Sequence, residues 1–327
     1  MRSDNPRRWV LPVVLTVATV AAAALVLPPL ASTGGADDDR PEAVLAAAPH
    51  SEMPLRVATF NTAATLGSRA AAEDVVGVVR KGRPHVLALQ EMGNPDRRTF
   101  VRRALVDCKG CPYRAYVPGS AVPASTPILW RARRLALVRG FSRQVTEATR
   151  VGARGAGPAV IRAKFVNGVH LRDRLTGRHV YVLNNHTVPT VQTGDGSPNT
   201  RLPARLGIYR KHMQGLQEIV AGLRKTGAAV LVVGDLNVNY RSDRVAKPRL
   251  FPYTRLGEVG MRASFEATGL PRRGTHVLRR SGNSVRLIDY VYVMRQRGSV
   301  PLDNRIMGGF RSDHRPLVVT LLMKARD

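Results

Sequence analysis

The sequence predicts a mixed α/β (α+β) domain in which sheets pack face to face and helices cover the outside. Three observations point there. Strand-like segments outnumber helix-like ones, several of the strands are apolar throughout, and no repeat or long low-complexity tract interrupts the chain. A strand with no polar face is buried on both sides, as in an inner sheet.

The N-terminus stands apart from that domain. MRSDNPRRW sets Arg2, Arg7 and Arg8 ahead of an uncharged run from Trp9 to Ala36, which contains Pro28-Pro29 and then Ala31-Ser32-Thr33-Gly34-Gly35-Ala36. A basic start, an apolar centre and a small-residue end make an export signal over residues 1–36. The run also approaches membrane-spanning length, so an uncleaved anchor is the second reading. Both place the rest of the chain outside the cytoplasm, because the arginines stay inside. Residues 37–54 read as a linker and residues 55–327 as one folded domain.

Along the domain, apolar runs predict strands at Leu55–Phe60, His85–Leu89, Pro127–Trp130, Ala159–Phe165, His179–Leu183, Val230–Val233, Arg286–Met294 and Pro316–Met323. Helices are predicted at Ala70–Lys81, Pro95–Val106 and Pro203–Lys225. In the last of these Leu206, Tyr209, Met213, Leu216, Ile219 and Leu223 recur at helical spacing. Residues 190–200 and 239–250 read as exposed loops.

The charge balance narrows the partners. Fifty-one Lys and Arg against 23 Asp and Glu leave a formal net charge of +28. Such an excess attracts polyanions, either a nucleic acid or an anionic membrane surface. Arginine is spread along the whole chain, so the sequence names no single basic patch. The two cysteines, Cys108 and Cys111 in CKGC, have no second pair to complete a structural zinc site. In an exported protein they read as a local disulfide closing a very short loop.

The chemistry lies where apolar strands end. VLVVGDLN finishes on Asp235 and Asn237, whose i, i+2 spacing would put both side chains on one face of a strand. LRVATFN ends on Asn61, HVLALQE on Gln90-Glu91 and HVYVLNNH on Asn185-His186. Asp289 lies inside RLIDYVYV, and Asp313-His314 precede the last strand. One Asn or Asp at a strand end is usually a turn former. Six such sites in one domain indicate function gathered on the rim of a rigid scaffold. Carboxylates and amides suit Mg²⁺, with Mn²⁺ as a substitute, better than zinc. A metal beside two histidines and further aspartates fits phosphoester hydrolysis, and no Gly-rich phosphate loop or nucleophilic Ser or Cys motif competes.

Taken in order, ATFN, LQE, NNHT, GDLN, RLIDYV and SDHRP resemble the signature segments of the endonuclease/exonuclease/phosphatase superfamily, from Leu55 to about Leu322. The resemblance implies a four-layer α/β sandwich with two central sheets meeting at a metal-bearing edge. It implies that Glu91 is the principal Mg²⁺ ligand, with Asn61 beside it and Asp313 completing the metal end. Asp235 and Asn237 would orient the attacking water and hold the phosphate. His186 and His314 would contact phosphoryl oxygens and exchange protons, with Asp289 orienting His314. Arg154 is a further candidate for phosphate contact. Pancreatic-type nucleases have a glutamate supporting the first histidine; Ser125-Thr126 occupy that place here.

The expected activity is therefore a metal-dependent nuclease acting on DNA or RNA as a monomer. The alternatives are a sphingomyelinase- or phosphoinositide-type phosphodiesterase and an inactive nucleic-acid-binding scaffold. An aromatic membrane-inserting hairpin would mark the lipid enzyme, yet aromatics make up 5% of the chain and form no cluster. Loss of a metal or histidine position would mark the scaffold, and no such position is lost.

Overall fold

The computed structural model describes residues 53–151, 160–277, 286–295 and 299–323. The predicted export segment, nearly all of the linker and Arg154 lie outside them. The first sheet contains β1 (Met53–Asn61), β2 (Val86–Gln90), β3 (Tyr113–Tyr116), β4 (Ile128–Arg131), β13 (Ser299–Ile306) and β14 (Leu317–Met323). The second contains β5 (Leu135–Thr146), β8 (Lys164–Asp173), β9 (His179–His186), β10 (Ala229–Asp235), β11 (Met261–Ala263) and β12 (Asp289–Met294). A small ribbon pairs β6 (Thr149–Arg150) with β7 (Val160–Ile161). The helices are α1 (Ser68–Gly82), α2 (Pro95–Leu105), α3 (Pro203–Arg224), α4 (Tyr240–Ala246), α5 (Pro252–Glu258) and α6 (Phe265–Thr268).

The strand orders are β13-β14-β1-β2-β4-β3 and β11-β12-β10-β9-β8-β5. Each sheet has one parallel pair, β1 with β2 and β9 with β10, and its other neighbours are antiparallel. The result is the expected α/β sandwich. Apolar residues of α1 and α2, among them Val75, Val78, Val101 and Leu105, pack on Phe60, Leu87 and Leu89 of the first sheet. The larger core lies between the sheets and beneath α3, where Leu206, Tyr209, Met213, Leu216 and Ile219 turn inward as their spacing predicts.

Topology positions the site. The register of β10 sets Asp235 opposite His186 of β9 on one side and Asp289 of β12 on the other. In the first sheet Asn61 pairs with Gln90, next to Glu91. The parallel pairs thus deliver their last residues to one end of each sheet, as ligand sites in α/β sheets require.

Several elements differ from the sequence expectation. The predicted strand over 159–165 is split: Val160–Ile161 belong to the ribbon, and Lys164 opens the ten-residue β8. β5 has no apolar alternation because it is an edge strand, with Leu137 and Val138 about half exposed (44% and 52%). The predicted loop 239–250 contains α4, whose Asp243 faces inward and accepts the Tyr253 N–H at 2.9 Å. Cys108 and Cys111 are disulfide-bonded.

Asp243 gives the fold a pH signature. It is buried, its Oδ1 has no hydrogen-bond partner among the described residues, and burial pushes its pKa up to about 7 from 3.8. The folded state then holds this proton more tightly than the unfolded chain, so its contribution lowers stability as pH rises from about 4 to about 7. In Asp243→Asn that decline should be absent. Denaturant midpoints of the two proteins between pH 4 and 8 check it, and parallel curves would remove Asp243 as the cause.

Candidate active site

Asp235 stands at the centre. β10 is buried along its whole length, and Gly234 permits its last step. There φ is 126°, and an added Cβ would lie 2.0 Å from the Asn185 carbonyl oxygen. Only glycine fits. It keeps β10 against β9 while Asp235 turns into the cleft. Asn237, however, is not on an extended strand. Its φ is 54°, its N–H donates to Asp235 Oδ1 at 2.8 Å, and its Nδ2 donates to Thr187 O at 3.3 Å. A local side-chain-to-backbone turn displaces strand geometry after Asp235.

The other Asp235 oxygen collects the opposite sheet. Asn61 Nδ2 donates to Oδ2 at 3.0 Å. His186 Nε2 and His314 Nε2 stand 3.7 and 3.8 Å from the same atom. His314 Nδ1 lies 2.9 Å from Asp289 Oδ2, and Glu91 Oε1 is 3.8 Å from His186 Nε2. Seven residues singled out from sequence therefore meet in one cleft: Asn61, Glu91, His186, Asp235, Asn237, Asp289 and His314. Asp313 is half-buried next to them, but among the described residues its carboxylate is bonded to neither Asn61 nor Glu91. Its carbonyl instead accepts the Val277 N–H at 2.8 Å.

The surroundings shift the two histidines in opposite directions. Burial opposes a protonated His314, yet the carboxylates of Asp289, Asp235 and Asp313 push its pKa up to about 10. Burial moves His186 the other way, well below its ordinary value, and the charges of Lys164 and His314 add to that. Near neutral pH His314 is an imidazolium and His186 a neutral ring. Between them, burial and the neighbouring Asp289 raise Asp235 to about 7, against the opposing pull of His314, Asn237 and Asn61. Neighbouring groups with separated proton affinities are the signature of acid–base chemistry.

Several contributors had no strand-end signal in the sequence. Arg97 of α2 is buried, and its guanidinium donates to Thr62 Oγ1, Ala63 O and Glu91 O at 2.9, 3.0 and 3.0 Å, with further bonds to the carbonyls of Ala64 and Leu66. It clamps two left-handed residues, Ala63 (φ 54°) and Glu91 (φ 60°). Asp74 of α1 accepts the amides of Arg311 and Ser312, and Ser312 Oγ donates to Asn61 O at 2.8 Å while accepting the His314 N–H at 3.0 Å. His276 packs its ring 4.9 Å from that of His314, and burial and the His314 charge lower its pKa to about 4. Lys164 is brought down to about 8 by burial, against the pull of Asp235 and Glu91, and its Nζ donates to Thr187 O at 3.4 Å. Of Ser125-Thr126, the Ser125 hydroxyl donates to Val122 O at 2.8 Å and the Thr126 hydroxyl accepts from Asn167 Nδ2 at 2.8 Å. Among the described residues no carboxylate is hydrogen-bonded to His186 Nδ1 in place of the pancreatic-type glutamate.

Asp235, Asp289 and His314 offer three potential ligand atoms within 4.8 Å of one another. Within this trio His314 Nδ1 is already engaged by Asp289 Oδ2 at 2.9 Å, the geometry of a hydrogen-bonded acid–base pair. The Glu91 carboxylate and the Asn61 amide oxygen are hard donors of the kind that suit a divalent metal.

The model of the Endonuclease/Exonuclease/phosphatase family matches residues 58–314, from the end of β1 to His314. The chain belongs to this family. No curated protein matches it in sequence. Among solved structures, it is similar to an endonuclease/exonuclease/phosphatase family protein from Bacteroides thetaiotaomicron, at 16% identity and TM-score 0.57 over 84% of this chain and 99% of that one. It is also similar to a mannosyl-6-phosphatase of the same organism, at 17% identity and TM-score 0.56 over 82% and 99%. D. rerio TDP2 complexed with a single-strand DNA product aligns at 13% identity and TM-score 0.57 over 82% and 98%. These likenesses establish the shared fold. The family hydrolyses phosphoester bonds and generally uses divalent metals.

Two substitutions separate the halves of the site. Asp289→Asn should lower turnover roughly 10²–10⁴-fold, the scale of one acid–base group, because burial then acts on His314 without its main counter-charge. Arg97→Lys should instead raise the divalent-metal concentration needed for half-maximal turnover by roughly 10–100-fold, the usual effect of losing an outer partner of a ligand. Turnover as a function of metal concentration checks both. An unchanged metal requirement in Arg97→Lys, with the fold intact, would show that the clamp does not act through Glu91.

Proposed function

We propose that the chain is an exported or membrane-anchored, Mg²⁺-dependent nuclease that hydrolyses phosphodiester bonds of DNA or RNA. The observation behind the reaction type is the buried Asp235 carboxylate with the imidazoles of His186 and His314 3.7 and 3.8 Å away. Glu91 and Asn61 would hold the metal, which supplies electrophilic assistance to the phosphoryl group and stabilises the leaving oxygen. Asp235, with a proton affinity near neutrality, accepts the proton of the attacking water, and Asn237 orients that water. His314 donates a hydrogen bond to a phosphoryl oxygen and is kept charged by Asp289. His186 offers its neutral ring to the same group. Water attacks phosphorus opposite the departing oxygen while these donors meet the growing negative charge.

The charge of the chain and the surroundings of His186 favour a polynucleotide over a small substrate. Arg162 and Lys164 line a cavity of about 160 Å³ together with Phe165, Ser125 and His186. A net charge of +28 adds non-specific affinity for a phosphate backbone. TDP2, which shares the fold, is seen with a DNA product.

The test is one panel with one enzyme: plasmid DNA, RNA, sphingomyelin and inositol phosphates, with and without EDTA. The polynucleotides should be cut, the inositol phosphates should be poor substrates, and EDTA should abolish turnover until Mg²⁺ or Mn²⁺ is restored. Robust lipid hydrolysis with intact plasmid would replace the nuclease by a phospholipid phosphodiesterase at the same site. Turnover unaffected by chelation would remove the metal.

A further inference from the structure

A basic concavity lies away from the active site. A cavity of about 390 Å³ is lined by Arg56, Arg80, Lys81, Arg83 and Arg305, with Asp303 as its single acid. Arg56 stands near the start of β1, whose other end supplies Asn61 to the cleft. Five residue steps along the strand separate the two, roughly 17 Å. The cavity also lies where α1 ends, since Arg80 and Lys81 are in its last turn and Arg83 follows it.

Part of this charge is structural. Arg56 Nε donates to Arg83 O at 2.9 Å and Arg305 Nη2 to Lys81 O at 2.8 Å, so two guanidiniums satisfy the end of α1. Lys81 Nζ sits 5.2 Å above the Phe310 ring. Arg80 and Arg83 differ. Both are exposed, and neither side chain has a hydrogen-bond or ion-pair partner among the described residues. The cluster is also uncompensated: besides burial, the charges of Arg131, Arg83 and Arg305 all depress the pKa of Arg56. Five cations around one concavity with one acid invite a phosphate-bearing surface.

The position of the cavity says which surface. The chain enters β1 at Met53, three residues before Arg56, and the preceding sequence contains the uncharged run Trp9–Ala36. We propose that this cleft docks the domain on the phosphates of an anionic bilayer, with the catalytic end turned away from it. Such docking leaves the active site open to a soluble polynucleotide and does not require the nuclease reading to be correct.

The experiment uses the full chain and vesicles of zwitterionic phosphatidylcholine, with or without anionic phosphatidylglycerol, and reads the ratio of the two affinities by sedimentation. The double variant Arg80→Gln/Arg83→Gln removes two lining charges without touching the guanidiniums that cap α1. A matched control, Arg210→Gln/Lys211→Gln, removes two exposed charges from α3 on the opposite flank. The cleft variant should lower the anionic preference about tenfold or more, given the usual contribution of each basic residue at such a surface. The control should stay within about twofold, and hydrolysis of a small phosphodiester should be the same in all three proteins. Equal losses in both variants would assign vesicle binding to diffuse charge and overturn the proposal. No loss in the cleft variant, or no anionic preference in the parent protein, would overturn it as well. A cleft variant that keeps its vesicle affinity and loses affinity for plasmid DNA would make the occupant a nucleic acid.

Discussion

The hydrogen bond from Asn61 Nδ2 to Asp235 Oδ2 joins two residues 174 positions apart and is the point at which the two sheets become one site. A buried carboxylate is costly without partners. Asp235 meets that cost with one donor from each sheet: the Asn61 amide from the first and the Asn237 N–H from the second. Further back, Gln90 Nε2 donates to Asn184 Oδ1 at 2.7 Å, and Asn184 Nδ2 donates to Leu89 O and Pro127 O. Polar groups at the catalytic end thus fix the relative position of sheets whose remaining interface is apolar and would tolerate sliding.

Backbone strain lies on both sides of that joint, at Asn237 on one and at Ala63 and Glu91 on the other. Ala63 and Glu91 are both left-handed without being glycine, a conformation that costs on the order of 1–3 kcal/mol each. Only an over-determined environment keeps such residues in place. Arg97 provides it, because one planar guanidinium binds carbonyls on both strained turns. The Glu91 carboxylate is also fixed by the Ala64 N–H. Its direction is therefore held by the backbone, and if Glu91 ligates a cation as proposed, that is the preorganisation electrostatic catalysis needs.

What was legible in the sequence follows from which signals are local. Apolar runs marked β1, β2, β9, β10, β12 and β14 because these strands are buried on both faces, and the polar residues ending them stood out by contrast. β5 and β13 gave no such signal: they are edge strands, so their sequences answer to solvent. The site residues at strand ends were readable for the same reason of contrast. Arg97, Lys164, Asp74 and His276 were not, since a basic residue in an arginine-rich chain or a lone acid on a helix looks the same whether it faces water or the cleft. Asn237 shows the limit from the other side. Its importance was visible in Gly-Asp-Leu-Asn, but its geometry was misread, because the turn depends on the Asp235 carboxylate accepting an N–H two residues on.

The same strand that brings Asn61 to a carboxylate-rich cleft begins among arginines, so the domain is electrically polarised along β1. At the cleft end carboxylates gather, and those of Asp289, Asp235 and Asp313 favour the charged form of His314. A negative cleft repels a phosphodiester until that charge is offset. Lys164 is already inside it, and Arg162 lines the adjoining cavity. Under the proposed function, binding of a polyanion by the basic surface and of a metal by the acidic cleft would be complementary requirements. The first would draw phosphate to the domain, and the second would make one phosphate acceptable among carboxylates. On the proposed function, replacing Glu91 by a neutral residue would leave the basic surface intact, keep the attraction for polyanions and remove the means to bring a phosphodiester against Asp235.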